Sequence, residues 1–397
     1  MELELEKAIR INQLEQKKLK KQAYTKPDLF VRIEAFMREK KLIGYGGTAI
    51  NRALPKEAKF YHESDIPDYD FFSTTALDDA KELADRLHPE YMHIEVKPSM
   101  FHGTYKLFVN FLPLVDFSQL EEDLFHNMFV TSFQQDGIHY VPYNYLRMSM
   151  YQELSRPLGD LTRWTKVYER LGLLNRYHPF LIRNCDVRPT THSPSSIVKA
   201  VHRRLKDYVC LGDAMMYYWQ DLFPEKYHYP QQDTLFVLSN TIEEIWKKME
   251  GMVLRYTYYE NKLIKVYEVH VEDHPILYVI LTESCTNYNV YKKRKLASYD
   301  ATLSFYYALS FSNIEHLSKQ KLLSYCYLLL QITEESHILM RRFQHPCYGT
   351  QITLEEIRKK RDVLYQKHQL SFLHYRPKLK SRKRIKKLRR NKSRQFR

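Results

Sequence analysis

The sequence predicts a mixed α/β (α+β) fold, and three observations predict it. A short apolar strand that ends at Leu42 and Ile43 leads into a Gly-Gly pair and a helical segment, Thr48 to Arg52. Two later strand-like runs, PDYDFFS and YKLFVNFLPLVDF, each carry acidic residues. After residue 196 the chain repeats the order of helix, short apolar strand, glycine and helix. Strands that alternate with amphipathic helices indicate sheets covered by helices.

Hydrophobic periodicity predicts the elements around these motifs. In the first half we expect helices over residues 1–22, 28–40, 77–87 and 144–175, and strands over 92–96 and 105–117. In the second half we expect strands over 234–238, 267–271 and 276–281, and helices over 300–343 and 353–370. The last helix is opened by a capping box, Thr353 with Glu356.

Composition divides the chain into five segments. Residues 185–196, CDVRPTTHSPSS, are rich in Pro, Ser and Thr and form the best domain boundary. The segments are an N-terminal helix (1–22), a first domain (23–185), a linker (186–196), a second domain (197–375) and a basic tail (376–397). The strands of the second domain lack an Asp-x-Asp pair, so we expect no two-metal site there. Because the repeated stretch is short, an unrelated α/β domain stays open as an alternative to a duplicate.

Gly46 and Gly47 predict a sharp turn between a strand and a helix. Without side chains, the backbone N–H groups of such a turn can approach a phosphate closely. The helix that starts at Thr48 directs the positive end of its dipole to the same place. A Gly-Gly pair alone is most often only a turn, so the weight of this signal depends on the acids that follow it.

Three acids interrupt apolar strands after the glycine turn. Asp68 and Asp70 are two positions apart, so in a strand both side chains leave the same face. Two carboxylates on one face repel unless a cation lies between them, and Mg²⁺ takes one or two carboxylates together with substrate phosphates. Asp116 lies between Val115 and Phe117, where an acid is costly to bury unless it is paired or metal-bound.

The formal net charge of +15 is concentrated in the tail. Residues 376–397 contain 13 Lys or Arg and no acid, which leaves about +2 (15 − 13) for the other residues. With few apolar residues this segment cannot form a core, so we expect it to be disordered. RNA binding, nuclear targeting and simple solvation are all open for such a basic run.

Three basic residues further along share one face of a predicted helix. Arg163, Lys166 and Arg170 are spaced by three and four residues. Contact with nucleotide phosphates or primer and a solvated face bridged to Asp160 and Glu169 are equally compatible with this spacing.

The five cysteines are odd in number and widely spaced, without a Cys-x-x-Cys pair. We therefore expect free thiols in a reducing compartment, with no disulfide framework and no zinc site. The histidines are scattered singly, and we expect none as a ligand or base. The charged N-terminus is not a signal peptide, and the longest apolar stretch, Leu322 to Ile332, is too short to cross a membrane.

Together, the motifs GGTAIN, PDYDFFS, VDFS and MYQELSRPLGDLTRWTKVYERLGLLN resemble the poly(A) polymerase catalytic subunits of nucleocytoplasmic large DNA viruses, nearest the giant-virus type. These belong to the nucleotidyltransferase superfamily that includes DNA polymerase beta. The resemblance covers roughly the first half of the chain. The gap from Gly47 to Asp68 is longer than in the commonest superfamily pattern and makes a loop of residues 55–67.

The resemblance implies template-independent addition of AMP from ATP to an RNA 3′ end, with release of pyrophosphate. It implies a polymerase-beta-like catalytic domain with a mixed sheet, a second degenerate nucleotidyltransferase-like domain, and a homodimer in the virion and host cytoplasm. Two Mg²⁺ or Mn²⁺ ions would be held by Asp68, Asp70 and Asp116. The triphosphate would be held by Gly46 and Gly47, with Thr48 and Asn51 as weaker candidates.

Three rival functions stay open. A glycosyltransferase also uses Asp-x-Asp, but does not need the glycine turn or Asp116. A nucleotidyltransferase with a small-molecule acceptor leaves the basic tail without a role. In a non-catalytic protein that binds single-stranded RNA, the tail would bind and the acids would be structural. The candidate RNA contacts are Arg163, Lys166, Arg170, Lys383, Arg384, Lys386, Lys387, Arg389 and Arg390.

Overall fold

The computed structural model describes most of the chain in two compact units. Described are residues 2–23, 28–61, 65, 68–91, 93–187, 196–212, 219–228, 234–271, 274–332, 342–344, 346–367 and 374–377. Unit one comprises Met1–Leu42, Ile66–Gln119 and Ile357–Arg397, and unit two comprises Ile43–Asp65 and Leu120–Glu356. No helix in these ranges has the length and apolar character needed to cross a membrane.

The helices and strands are numbered here in chain order. The helices are α1 (Glu2–Ala23), α2 (Asp28–Lys40), α3 (Gly46–Ala53), α4 (Ala76–Leu87), α5 (Glu122–Val130), α6 (Tyr143–Leu154), α7 (Trp164–Tyr177), α8 (Ser196–Arg204), α9 (Ile242–Lys248), α10 (Tyr299–Phe311), α11 (Lys319–Leu330) and α12 (Leu354–Lys367). The strands are β1 (Ile43–Tyr45), β2 (Tyr69–Ser73), β3 (Ile94–Pro98), β4 (Thr104–Val109), β5 (Leu112–Gln119), β6 (Phe133–Gln135), β7 (Ile138–Tyr140), β8 (Val209–Gly212), β9 (Leu235–Ser239), β10 (Arg255–Glu260), β11 (Lys265–Val271), β12 (His274–Leu281), β13 (Thr286–Tyr291), β14 (Arg294–Ala297) and β15 (Cys347–Tyr348).

Unit one contains a four-stranded part of a mixed sheet in the order β3-β4-β5-β2. β4 runs antiparallel to both β3 and β5, and β2 runs parallel to β5. Apolar residues of α2 and the strands meet in its core, where Phe117 packs edge-on against Phe36 and Phe71. The predicted helices at 1–22, 28–40 and 77–87 are confirmed as α1, α2 and α4.

The prediction of one strand over residues 105–117 is wrong, because a hairpin divides this run into β4 and β5. The two turn residues, Asn110 and Phe111, have φ angles of 51° and 68°. Positive φ at both central residues is the geometry of the tight type I′ hairpin turn, which asparagine tolerates well. The hairpin has a consequence for the site, because it puts Lys106 opposite Asp116.

The predicted helical region over 144–175 is present, but it is interrupted. It is divided into α6 and α7, with a short 3₁₀ turn at Leu161–Arg163 before α7. Pro157 and Gly159 lie in the gap, and both residues are unfavourable inside a helix. Asp160 is the N-cap of the 3₁₀ turn, where its side chain accepts a hydrogen bond from the backbone N–H of Thr162 at 3.1 Å.

Unit two contains three strands in the order β1-β7-β6 and an eight-stranded mixed sheet. The eight strands follow the order β10-β11-β12-β9-β8-β14-β13-β15. The predicted strands at 234–238, 267–271 and 276–281 are confirmed as β9, β11 and β12. The capping box before α12 is confirmed, since Glu356 accepts hydrogen bonds from the N–H and hydroxyl of Thr353.

The larger sheet of unit two repeats the strand arrangement of the first half. The segment β10-β11-β12-β9 has the order and directions of β3-β4-β5-β2, with two antiparallel pairs and then a parallel one. β8-β14-β13 likewise matches β1-β7-β6, a parallel pair followed by an antiparallel one. Gly212 at the end of β8 has a φ of 83°, and Gly46 just after β1 has a φ of 72°. These repeated features support the predicted duplicate.

The expectation of five free thiols is wrong. Cys285 and Cys347 form a disulfide, with Cα atoms 5.3 Å apart, while Cys185, Cys210 and Cys326 are free. The partners are separated by 62 positions in the sequence. The antiparallel pairing of β13 with β15 brings them together, because Asn287 lies opposite Cys347. Spacing along the sequence could not show this pairing.

Several predicted segments fall largely outside the described residues. These are residues 188–195 of the linker, 333–341 of the predicted helices at 300–343, and 378–397 of the basic tail. Within the described part of the 300–343 segment, α10 and α11 are present as separate helices. The five segment boundaries stay predictions.

Candidate active site

Two of the three predicted acids lie on neighbouring strands of unit one. Asp70 on β2 is the register partner of Asp116 on β5, and these two strands are parallel. Register partners in a sheet present their side chains on the same face. Asp68 lies two positions before Asp70, directly ahead of β2. Tyr69 and Phe71, which alternate with Asp70, are 2% and 0% exposed. The alternation of β2 therefore turns Tyr69 and Phe71 into the core on the face opposite Asp70. Phe72, on the same face as Asp70, is also buried at 3% exposure.

Lys106 is a site residue that the sequence did not indicate. It lies opposite Asp116 in the β4–β5 hairpin, and its Nζ is 2.5 Å from Asp116 Oδ2. Burial raises the pKa of the Asp116 carboxyl, and it outweighs the lowering by the Lys106 ammonium. Asp68 contributes a further small increase to the pKa of Asp116 through like-charge repulsion.

The donor set suits a hard divalent cation. Carboxylate oxygens are the ligands that Mg²⁺ prefers, and the ammonium of Lys106 already occupies a cation position against one of them. Among the described residues, the three acids do not bring three ligand oxygens within 4.8 Å of one another. The assignment of Asp68, Asp70 and Asp116 as metal ligands stays a prediction.

The glycine turn belongs to unit two, and its backbone needs glycine at two places. Gly46 has a φ of 72°, in the left-handed region that residues with a side chain rarely adopt. A Cβ atom on Gly47 would lie 2.5 Å from Tyr61 Oη and 3.1 Å from a guanidinium nitrogen of Arg170. The bare backbone of Gly47 thus lies directly against a hydroxyl and a cation.

Arg170, unlike the other two residues of the predicted basic face, packs beside this turn. Its guanidinium lies 4.0 Å from the ring centre of Phe60 and 5.3 Å from that of Tyr61. Arg163 instead pairs with Glu153 at 2.8 Å, just before α7 begins. Lys166 is an exposed residue of α7. The structure therefore brings one of the three predicted cations to the glycine turn.

The weaker candidates Thr48 and Asn51 have different surroundings. Asn51 Oδ1 accepts hydrogen bonds from the backbone N–H groups of Phe60 and Tyr61, at 2.9 and 3.0 Å. This contact holds the loop that carries the two aromatic rings under Arg170. Thr48 is buried on α3, with 8% of its surface exposed. Residues 62–64 and 66–67 of the predicted loop at 55–67 lie outside the described residues.

Comparison with known proteins finds a family model and relatives that are similar to this chain. Residues 31–160 match the family model described as the poly(A) polymerase catalytic subunit. The resemblance inferred from the sequence is confirmed. A protein of Acanthamoeba polyphaga mimivirus, described as a candidate poly(A) polymerase catalytic subunit, is 28% identical over 189 residues, 46% of this chain and 32% of that protein. An African swine fever virus protein of the same description is 25% identical over 321 residues, 74% of this chain and 63% of its own.

The fold is also that of a solved viral enzyme. The crystal structure of the Megavirus polyadenylate synthase matches with a TM-score of 0.75 at 19% identity, over 94% of this chain and 84% of that one. The predicted mixed α/β class is thereby confirmed. The chain spans about a third of the mimivirus relative and under two thirds of the swine fever virus relative.

The second sheet carries aromatic residues where the poly(A) polymerase-like first sheet carries acids. Counted from the first paired residue of each strand, Phe236 on β9 and Tyr278 on β12 correspond to Asp70 and Asp116. Their rings stack with centres 4.7 Å apart. Glu268 on β11 is the register partner of Tyr278, as Lys106 on β4 is the register partner of Asp116. In both sheets a register shift follows one residue later.

All six predicted RNA contacts of the tail lie outside the described residues: Lys383, Arg384, Lys386, Lys387, Arg389 and Arg390. Residues 374–377, which include the first two residues of the predicted tail, are described. Tyr375 forms a bridge with Val96, and the Arg376 guanidinium bonds to Glu95. Arg376 is therefore engaged within unit one.

Proposed function

We propose that this chain is a polynucleotide adenylyltransferase that adds AMP from ATP to RNA 3′ ends without a template and releases pyrophosphate. The observation that carries the proposal is the register pairing of Asp70 with Asp116 on parallel strands, with Asp68 two positions earlier. The match of residues 31–160 to the poly(A) polymerase family and the likeness to the polyadenylate synthase fold support it.

In this proposal the acids of unit one hold two divalent ions, Mg²⁺ or Mn²⁺. Bound there, the ions would stabilise the attacking and the leaving oxygen of the transferred phosphoryl group. Asp68 and Asp70 would supply carboxylate oxygens to the two ions. Asp116 would complete the site at the ion that activates the primer 3′-hydroxyl.

Lys106 has a proposed part in preparing this site. When no ion is bound, its ammonium balances the charge of Asp116, whose side chain is 18% exposed. Its flexible four-carbon stem lets the ammonium move away when a divalent ion takes its place. Lys106 would thereby keep β5 folded around an acid that burial disfavours.

The glycine turn of unit two is proposed to bind the ATP triphosphate through its backbone N–H groups. Arg170 lies beside Gly47, and a guanidinium forms paired hydrogen bonds with phosphate oxygens. Stacking on Phe60 restricts the orientation of this guanidinium before the nucleotide arrives. Asn51 would hold the loop that carries Phe60 in place through its hydrogen bonds to the loop backbone. Thr48 stays a weaker candidate for contact with the triphosphate.

The remaining partners are single-stranded RNA and a second copy of the chain. We propose that RNA is held by the basic tail and by Lys166, through phosphate contacts that do not read sequence. A homodimer and a location in the virion and host cytoplasm are proposed from the viral family. Light scattering of the purified protein tests the dimer, and fractionation of infected cells and virions tests the location.

The test of the function is incorporation of label from each of the four nucleoside triphosphates into oligo(A), with and without Mg²⁺ or Mn²⁺. The proposal predicts metal-dependent extension with ATP as the preferred substrate. Extension with no metal would contradict the role of the acids. Binding of oligo(A) with no incorporation at all would favour a non-catalytic RNA-binding protein. Transfer of nucleotide to a small acceptor, but not to RNA, would favour the small-molecule transferase.

A further inference from the structure

A group of potential metal ligands lies in unit two, on the sheet without strand acids. Glu268 and His270 are two positions apart on β11, so both side chains leave the same face. His316 lies in the turn between α10 and α11. One ligand atom of each residue lies within 4.8 Å of the other two, and in the described ranges no other group of three or more does this.

The distances within this group suit a shared ion. His270 Nε2 and His316 Nδ1 lie 3.3 and 3.4 Å from the same oxygen, Glu268 Oε2. Around a tetrahedral zinc ion with bonds of about 2.0–2.1 Å, neighbouring ligand atoms are about 3.3–3.4 Å apart. A charged hydrogen bond from imidazolium to carboxylate measures about 2.7–2.9 Å, which is shorter than both distances. The spacing fits three ligands around one ion, whereas without an ion the His316–Glu268 contact is a long hydrogen bond.

The burial of Glu268 calls for positive charge nearby. Its side chain is 0% exposed. Tyr278 donates a hydrogen bond to Oε1 at 2.8 Å, and Tyr259 donates one to Oε2 at 3.1 Å. These hydroxyls orient the carboxylate, as the outer partners of metal-bound carboxylates do, but they carry no charge to balance it, and His270 and His316 supply charge only when they are protonated. A bound cation would supply that charge.

The access to the group also fits a metal site. His270 is buried on β11, whereas the His316 side chain is 41% exposed and borders solvent. An ion can enter on the His316 side, and a water molecule can complete its coordination there. Glu268 and His316 are 48 positions apart in the sequence (316 − 268). An ion bound to both would therefore join distant parts of the chain.

We propose that Glu268, His270 and His316 bind one Zn²⁺ ion. Two imidazole nitrogens and one carboxylate oxygen are a donor set that zinc uses with a water in the fourth position. Mg²⁺ prefers near-octahedral oxygen ligands, so the ion proposed for the strand acids does not suit this site. The zinc fastens β11 to the α10–α11 turn and stabilises unit two, separately from adenylyl transfer.

The test measures zinc content and thermal stability of the untagged, full-length protein. The protein is treated with chelator, dialysed, given one equivalent of Zn²⁺ and freed of excess metal. We expect one zinc per chain by mass spectrometry of the metal, and a higher Tm than that of the chelator-treated protein. His316→Ala should lose both the zinc and the increase in Tm. The control His126→Ala removes an exposed imidazole of α5 and should retain both.

Two further variants make the result decisive. Asp70→Asn should bind zinc as the parent does, which separates this site from the acids proposed for catalysis. Glu268→Gln keeps an acceptor oxygen for one of the two tyrosine hydroxyls and removes the charge. It should also lose zinc, and it takes the place of His316→Ala if that variant does not fold. Zinc well below one per chain in the parent, or equal zinc in His316→Ala and His126→Ala, would overturn the proposal.

Discussion

Replacement of Lys106 by methionine tests how the strand acids are held when no metal is bound. Methionine keeps the apolar stem and removes the ammonium 2.5 Å from Asp116. The side chains are 36% and 18% exposed, so this pair lies between a surface pair and a buried one. Surface pairs contribute about 0–1 kcal/mol, and breaking a buried pair costs about 3–5 kcal/mol. We expect Lys106→Met to lower the free energy of unfolding by about 1–2 kcal/mol without divalent ions.

Magnesium should reverse much of this loss. An ion at Asp116 no longer competes with an ammonium, so Mg²⁺ should bind about 5–30-fold more tightly to the variant, the equivalent of about 1–2 kcal/mol. The assay is thermal unfolding with and without Mg²⁺, where about 2–4 °C is expected per kcal/mol. Lys40→Met is the matched control, since Lys40 pairs with Glu82 at 2.5 Å on the helices of the same unit. An equal loss of Tm with and without Mg²⁺ for Lys106→Met would refute this account of Lys106.

Three other perturbations have defined outcomes. The Asp300 carboxylate is 0% exposed and accepts two hydrogen bonds from the Arg342 guanidinium, at 2.8 and 2.5 Å. Asp300→Ala should therefore lower the free energy of unfolding, measured in urea, by about 3–5 kcal/mol, and a loss under about 1 kcal/mol would contradict this estimate. Gly46→Ala places a side chain on a residue with a φ of 72°, which should lower the free energy of unfolding by about 1–2 kcal/mol. It should also raise KM for ATP, and an unchanged KM would exclude the turn from the triphosphate site. Deletion of residues 378–397, which keeps Arg376, should flatten the slope of log RNA affinity against log salt by about 0.7 for each engaged cation; equal slopes would exclude the tail as an RNA contact.

Local signals predicted the elements that depend on local sequence. α2 begins and ends where its apolar periodicity does, and the turn at Gly46 needs a φ that glycine supplies. Asp70 and Asp116 were found because each interrupts an apolar strand. Such features are fixed by neighbours a few residues away, so one sequence suffices to identify them.

Features that depend on register between distant segments were missed. Lys106 faces Asp116 only because Asn110 and Phe111 form a tight turn, and no Asn-Gly or Asp-Gly pair marked that turn in the sequence. The Cys285–Cys347 disulfide depends on the pairing of β13 with β15. Similarly, His316 reaches Glu268 through packing that leaves no periodic signal.

The role of Asp70 as a metal ligand is the central claim, and the single-turnover rate of AMP incorporation by Asp70→Asn tests it most directly. Asparagine preserves size and removes the charge that a divalent ion needs. In saturating ATP, oligo(A) and Mg²⁺ we expect a rate at least ~100-fold below that of the parent, several kcal/mol of transition-state stabilisation, with Tm unchanged or raised. Asp78→Asn, the same change at an exposed position in the first turn of α4, should retain the parent rate. A rate for Asp70→Asn within tenfold of the parent would contradict the claim.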